Sequence, residues 1–126
     1  MDDVQFAVIG AGMAGLACAH ELARADAKVT VFERARGLGG RLATRRIGEL
    51  AFDHGAQFVT ARGRPFGRFA ETTLRAGVLD AWRPRIMEDD RAWPAPIDDW
   101  WIGKPGMSEV DSTLSCTTPV RPLVFL

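Results

Sequence analysis

The sequence has little from which to build a covalent staple, a metal centre or a membrane anchor. Cysteine occurs twice, at Cys18 and Cys116, far apart and without a Cys-x-x-Cys. That spacing argues against a disulfide framework and a metal site, and both residues are read as free thiols. Long hydrophobic runs are missing. The apolar stretch at residues 6–9 stops at Gly10, too short for a secretory signal or a membrane span, and Met1-Asp2-Asp3 supplies no basic leader. An excess of one charge is missing too. Sixteen basic residues balance sixteen acidic ones, so no overall field draws in nucleic acid or an anionic membrane. A cytoplasmic protein is the expectation. Hydrophobic residues at 47% and charged residues at 25%, over 126 residues, describe a globular chain of at most one ordinary domain.

The first third carries the chemistry. Residues 5–9, QFAVI, form a short apolar run with a β-branched end, expected to be a strand buried on both faces as in a parallel sheet. GAGMAG follows. From Met13 the period changes to that of a helix, with Leu16, Ala19, Leu22 and Ala23 on the apolar face. Residues 28–32, KVTVF, form a second strand that ends in Glu33. This is a strand–helix–strand crossover.

Each glycine has a physical task in that setting. Gly10 turns the chain out of the strand, Gly12 lets a pyrophosphate approach the backbone, and Gly15 lets helix and strand pack closely. The helix N-terminus offers N–H groups and a positive dipole end to phosphates. A carboxylate at Glu33 is placed to accept from both ribose hydroxyls, which favours FAD or NAD over NADP. These features alone do not separate FAD from NAD.

A second glycine pair narrows the choice. Five residues after Glu33 come Gly39-Gly40-Arg41, and then Thr44. An NAD site does not need this pair. The segment resembles the G-G-R-x-x-[ST] signature of the FAD-dependent amine oxidase superfamily. The later Asp53-His54-Gly55-Ala56-Gln57-Phe58-Val59-Thr60 and Trp101-Ile102-Gly103-Lys104-Pro105-Gly106-Met107-Ser108 are most similar to the renalase branch. The resemblance implies an α/β, Rossmann-like FAD-binding parallel sheet with a crossover helix, followed by the start of a substrate domain. It implies that Ala14 and Arg41 contact the phosphates, that Arg36 reaches the adenosine end, and that Gln57 and Phe58 contact the flavin. Arg41 is suited to a bidentate, charge-assisted contact. Arg34, Arg45 and Arg46 are read as solvated.

The implied reaction is hydride removal from a small reduced substrate by FAD, with O₂ as oxidant. In the renalases proper the substrates are isomers of reduced nicotinamide dinucleotides. A non-catalytic nucleotide-binding or interaction module is the alternative. No catalytic residue is assigned. His54 has no second base or nucleophile spaced to join it, and His20 is read as structural.

The remainder divides by pattern. The resemblance implies that residues 1–62 form the FAD-binding segment and that 63–108 open the substrate domain. The latter begins with a helix from Arg64, carrying Phe66, Phe69, Ala70, Thr73 and Leu74 at helical spacing and ending at Gly77. A strand over 79–87, a turn at 88–91 and returning segments at Trp93 and 100–102 follow. The four tryptophans suit either a substrate pocket or a buried hairpin face. Residues 109–126 show no helical period, are rich in Ser and Thr, and are expected to be an atypical tail of a truncated product.

Overall fold

The computed structural model describes residues 5–92, 99–115 and 119–122. Strand β1 (Gln5–Ile9), helix α1 (Met13–Arg24) and strand β2 (Lys28–Glu33) form the expected crossover, with β1 and β2 parallel from Gln5↔Lys28 to Ile9↔Phe32. Helix α1 leaves β1 through Gly10, whose φ of 96° is open to glycine but strained for other residues. It ends before Asp26, where the chain turns back with φ of 58°.

A 3-10 turn (Gly40–Leu42) leads into a hairpin of β3 (Thr44–Ile47) and β4 (Leu50–Asp53). Helix α2 (Arg64–Arg75) starts with Pro65 in its first turn and is stopped by Gly77 at φ 74°. Strand β5 (Leu79–Trp82) comes next, then a small hairpin of β6 (Met87–Glu88) and β7 (Arg91–Ala92). Asp89 and Asp90, both at positive φ, make its turn. Strand β8 (Trp100–Gly103) returns antiparallel to β5, and helix α3 (Ser108–Ser115) follows. Last comes β9 (Val120–Pro122), which pairs parallel with β2 and completes a sheet of order β1-β2-β9.

Two apolar clusters hold these elements together. One joins Leu16 and Ala19 of α1 to Val29 and Val31 of β2 and Leu114 of α3. The other joins Leu42, Ala70, Leu79, Met107 and Val110. Phe69 and Met13 pack against both and make them continuous. Each fully buried side chain of this size contributes about 1.5–3 kcal/mol.

The structure departs from the sequence pattern in three places. Strand β1 is not buried on both faces: Phe6 is 41% and Ile9 66% exposed. It is an edge strand, and although Val8 packs into the α1 core, the face bearing Ala7 and Ile9 is open. The strand expected over 79–87 breaks after Trp82, because Pro84 removes a ladder donor. Residues 109–126, which show no helical period in sequence, hold most of α3 and all of β9. Trp93 and Cys116 lie outside the described residues.

Candidate nucleotide-binding site

The glycine turn is built around one close approach. A Cβ at Gly15 would collide with the carbonyl oxygen of Gly10, so α1 sits tight on the end of β1 only because residue 15 has no side chain. The N-cap of α1 is Gly12, which provides no side-chain cap, and no acidic residue lies in the first turn. The first-turn N–H groups of Met13 and Ala14 therefore have no helical acceptor, and no acidic side chain of the helix's own first turn repels an anion from the positive end of the dipole. A Cβ at Gly10 would meet nothing within 4 Å, and one at Gly12 only the Gly39 carbonyl at 4.0 Å. An open cradle of backbone beside an uncapped helix end fits a pyrophosphate.

Glu33 closes this turn from the end of β2. Its Oε2 accepts from the Ala11 N–H at 2.7 Å and its Oε1 from the Ala35 N–H at 2.7 Å. Hydrogen bonds from Ala35 and then Ala11 hold its carboxyl below the usual range, so it stays ionised through mild acid. Each oxygen retains a lone-pair site, enough for two hydroxyls of a ribose.

Two distant loops join the same surface through backbone bonds. The Gly39 N–H donates to the Ala11 carbonyl at 2.9 Å, and Gly12 bridges Gly39 in parallel fashion. Gly39 and Gly40 adopt φ of 103° and 53°, which brings the turn this close. The Ala56 N–H donates to the Arg41 carbonyl at 2.7 Å, and a Cβ at Gly55 would strike that same carbonyl oxygen. Glu33, the first glycine turn, Gly39-Gly40-Arg41 and Gly55-Ala56 thus form one connected surface. The Arg36 and Arg41 side chains are exposed.

The remaining named residues lie further along. Gln57 is exposed, and Phe58 is half-buried against Trp100, its ring stacked at 3.9 Å and nearly parallel, with Trp82 tilted against both. Trp101 packs against the second apolar cluster and its backbone pairs with that of Val59. Trp82 and Trp100 therefore form a wall behind Phe58, while Trp101 faces the other side of β8. His54 is exposed, and His20 lies 3.5 Å from Glu21 on the same helix. Arg45 is solvated, whereas Arg46 makes an ion pair with Glu109 at 3.3 Å. No group of residues able to hold a metal ion occurs among the described residues.

Asp53 has a role that sequence reasoning missed. Its Oδ1 accepts from the Thr44 hydroxyl at 2.6 Å and from the Met107 N–H at 3.0 Å, while the Ser108 N–H donates to Thr44 Oγ1 at 3.1 Å. Thr44 and Asp53 therefore cap α3 from the β3–β4 hairpin. A Cβ at Gly106 would strike Thr44. The polar residues within two otherwise glycine-rich motifs were the signal for this tie.

This is a nucleotide-binding crossover with a second glycine loop docked on it. Residues 8–74 match the model of the NAD(P)-binding Rossmann-like domain, and the chain belongs to that family. It is 38% identical over 97 residues to a coproporphyrinogen III oxidase of Mycobacterium tuberculosis, covering 72% of this chain and 22% of the relative. It is 52% identical over 42 residues to a flavin-dependent L-tryptophan oxidase of Lentzea aerocolonigenes, covering 33% of this chain and 9% of that protein. Among solved structures, an A394C mutant of putrescine oxidase superimposes with a TM-score of 0.50 at 30% identity, over 65% of this chain and 18% of that one. The chain thus spans about a fifth of the length of the curated relatives it matches first.

Proposed function

We propose that this chain is the FAD-binding portion of a flavin-dependent oxidoreductase. The observation that carries the reading is the uncapped N-terminus of α1, set beside Gly12 and Gly39 with Glu33 at the end of β2. The α1 end receives the pyrophosphate, and Glu33 receives the ribose of the adenosine half. Arg41 lies beside the glycine pair, exposed and free to swing onto a phosphate, and Arg36 serves the adenosine end. The docked glycine loop favours FAD over NAD, because a bare crossover needs no second loop at this place. The coproporphyrinogen, L-tryptophan and putrescine oxidases that resemble the chain support the same choice.

Bound there, FAD would supply two-electron chemistry with a reduced substrate, O₂ being the oxidant. Residues 1–62 hold the cofactor, with Gln57 and Phe58 meeting the flavin ring, and 63–108 begin the substrate side. We place the protein in the renalase-type branch and in the cytoplasm. Its substrate is a small molecule of the reduced nicotinamide dinucleotide class. The Asp53–Thr60 and Trp101–Ser108 motifs support that branch.

The purified chain, incubated with FAD and desalted, should retain a yellow chromophore with bands near about 370 and 450 nm that bleach on reduction. Arg41→Ala should weaken retention about tenfold, the loss of one charge-assisted contact. A colourless protein that binds ADP-ribose but never flavin would overturn the assignment.

A further inference from the structure

Asp111 is the one buried carboxylate among the described residues. It is fully buried, yet neither of its side-chain oxygens has a hydrogen-bond partner. It lies on α3 and points at the glycine loop: a Cβ at Gly39 would sit 2.5 Å from Asp111 Oδ2. The carboxyl oxygen thus fills the space a side chain at residue 39 would take. Its neighbours Val110 and Leu114 are buried in the two apolar clusters.

The elements packed on α3 are α1, the 3-10 turn, β8 and the β3–β4 hairpin that caps it. Their titratable groups are Cys18, His20, Glu21 and Arg24 on α1, Arg41 on the turn, and Arg45, Arg46 and Asp53 on the hairpin strands, while β8 has none. His20 and Arg24 lie against Glu21, and Cys18 and Arg41 are exposed. On α3 itself, Glu109 faces Arg46. Among the described residues, Asp111 therefore has no cation to balance a charge. A partnerless carboxylate in an apolar contact is tolerated only uncharged.

We propose that Asp111 is a positioning residue for the cofactor loop, seating α3 on Gly39 while its carboxyl is protonated and loosening that contact when it ionises. Ionisation acts on the ligand in two ways. It drives α3 away from Gly39, which is hydrogen-bonded to Ala11 in the phosphate cradle, and it places a negative charge behind that cradle. Both weaken the hold on a pyrophosphate. Burial alone raises the Asp111 carboxyl from 3.8 to about 6, which sets the window. Between those values the folded state binds the proton more tightly than the unfolded chain. The stabilisation is complete below the lower value and is lost as pH rises through about 6. Glu33, held low by its backbone donors, shifts in the opposite direction from Asp111.

The effect on ligand affinity rests on the FAD reading; the effect on the loop does not. The experiment uses the wild-type chain and Asp111→Asn, each alone and with FAD. In the wild type, the Asp111 carboxyl ¹³C resonance should titrate with a midpoint near 6. Thermal stability of the ligand-free protein should fall across that window, and FAD should bind about tenfold more tightly at pH 5 than at pH 8. In Asp111→Asn the fall in stability and the pH dependence of binding should both be flattened, while FAD still binds. A carboxyl midpoint near 4, or superimposable pH profiles for the two proteins, overturns the proposal. If FAD binds at no pH, the functional reading fails, and the midpoint and ligand-free stability still decide the role of Asp111.

Discussion

Gly15 shows how much a single missing side chain determines. With the Gly10 carbonyl occupying the place of its Cβ, Gly15→Ala must push α1 off the end of β1. The expected cost is about 1–3 kcal/mol, with loss of FAD retention, read by thermal unfolding and by the flavin spectrum. Unchanged retention would show that the close approach is not needed. Asp53 acts at longer range. Asp53→Ala leaves the Thr44 hydroxyl and the Met107 N–H without their acceptor and should cost about 1.5–3 kcal/mol in denaturant unfolding. The glycines were readable because their demands are local: Gly10 and Gly12 lie between β1 and α1, and Gly15 lies in the first turn of α1. The Asp53 tie was not, since its partner Met107 lies fifty-four positions away and no local pattern announces the meeting.

The elements divide along the same line. The β1–α1–β2 unit follows from short apolar runs and a helical period within one stretch, whose partners are neighbours in sequence. Helix α3 is different. It has eight residues, SEVDSTLS, with weak propensity and a serine- and threonine-rich composition. An isolated helix of that length is marginal, and packing of Val110 and Leu114, with the cap from Thr44 and Asp53, holds it. The tail therefore looks structureless in one dimension. Strand β8 invites a test of the aromatic wall. Trp100→Ala removes the ring stacked on Phe58 and should cost about 2–4 kcal/mol, visible as a lowered unfolding midpoint. An unchanged midpoint would mean that Phe58 is placed by its neighbouring backbone alone.

At the scale of the whole molecule, apolar surface remains uncovered. Ile9, Leu50 and Ile47 are all more than half exposed, on β1 and on the β3–β4 hairpin. An exposed edge strand with bare apolar side chains favours association. The chain should self-associate in sedimentation experiments as concentration rises, and Ile9→Lys should reduce this without altering FAD retention. Equal association by both proteins would move the sticky surface elsewhere.

The third strand of the sheet reaches its place late in the life of the polypeptide. Val31 pairs with Val120, so the outer edge of β2 is made long before the residues that cover it leave the ribosome. At ordinary elongation rates that interval is on the order of ten seconds. During it the crossover and both glycine loops can assemble, while the far side of β2 stands unpaired in a crowded cell. Chaperone demand during translation should therefore concentrate in the stretch between the nucleotide cradle and the last strand, and slowing elongation there lengthens the exposure.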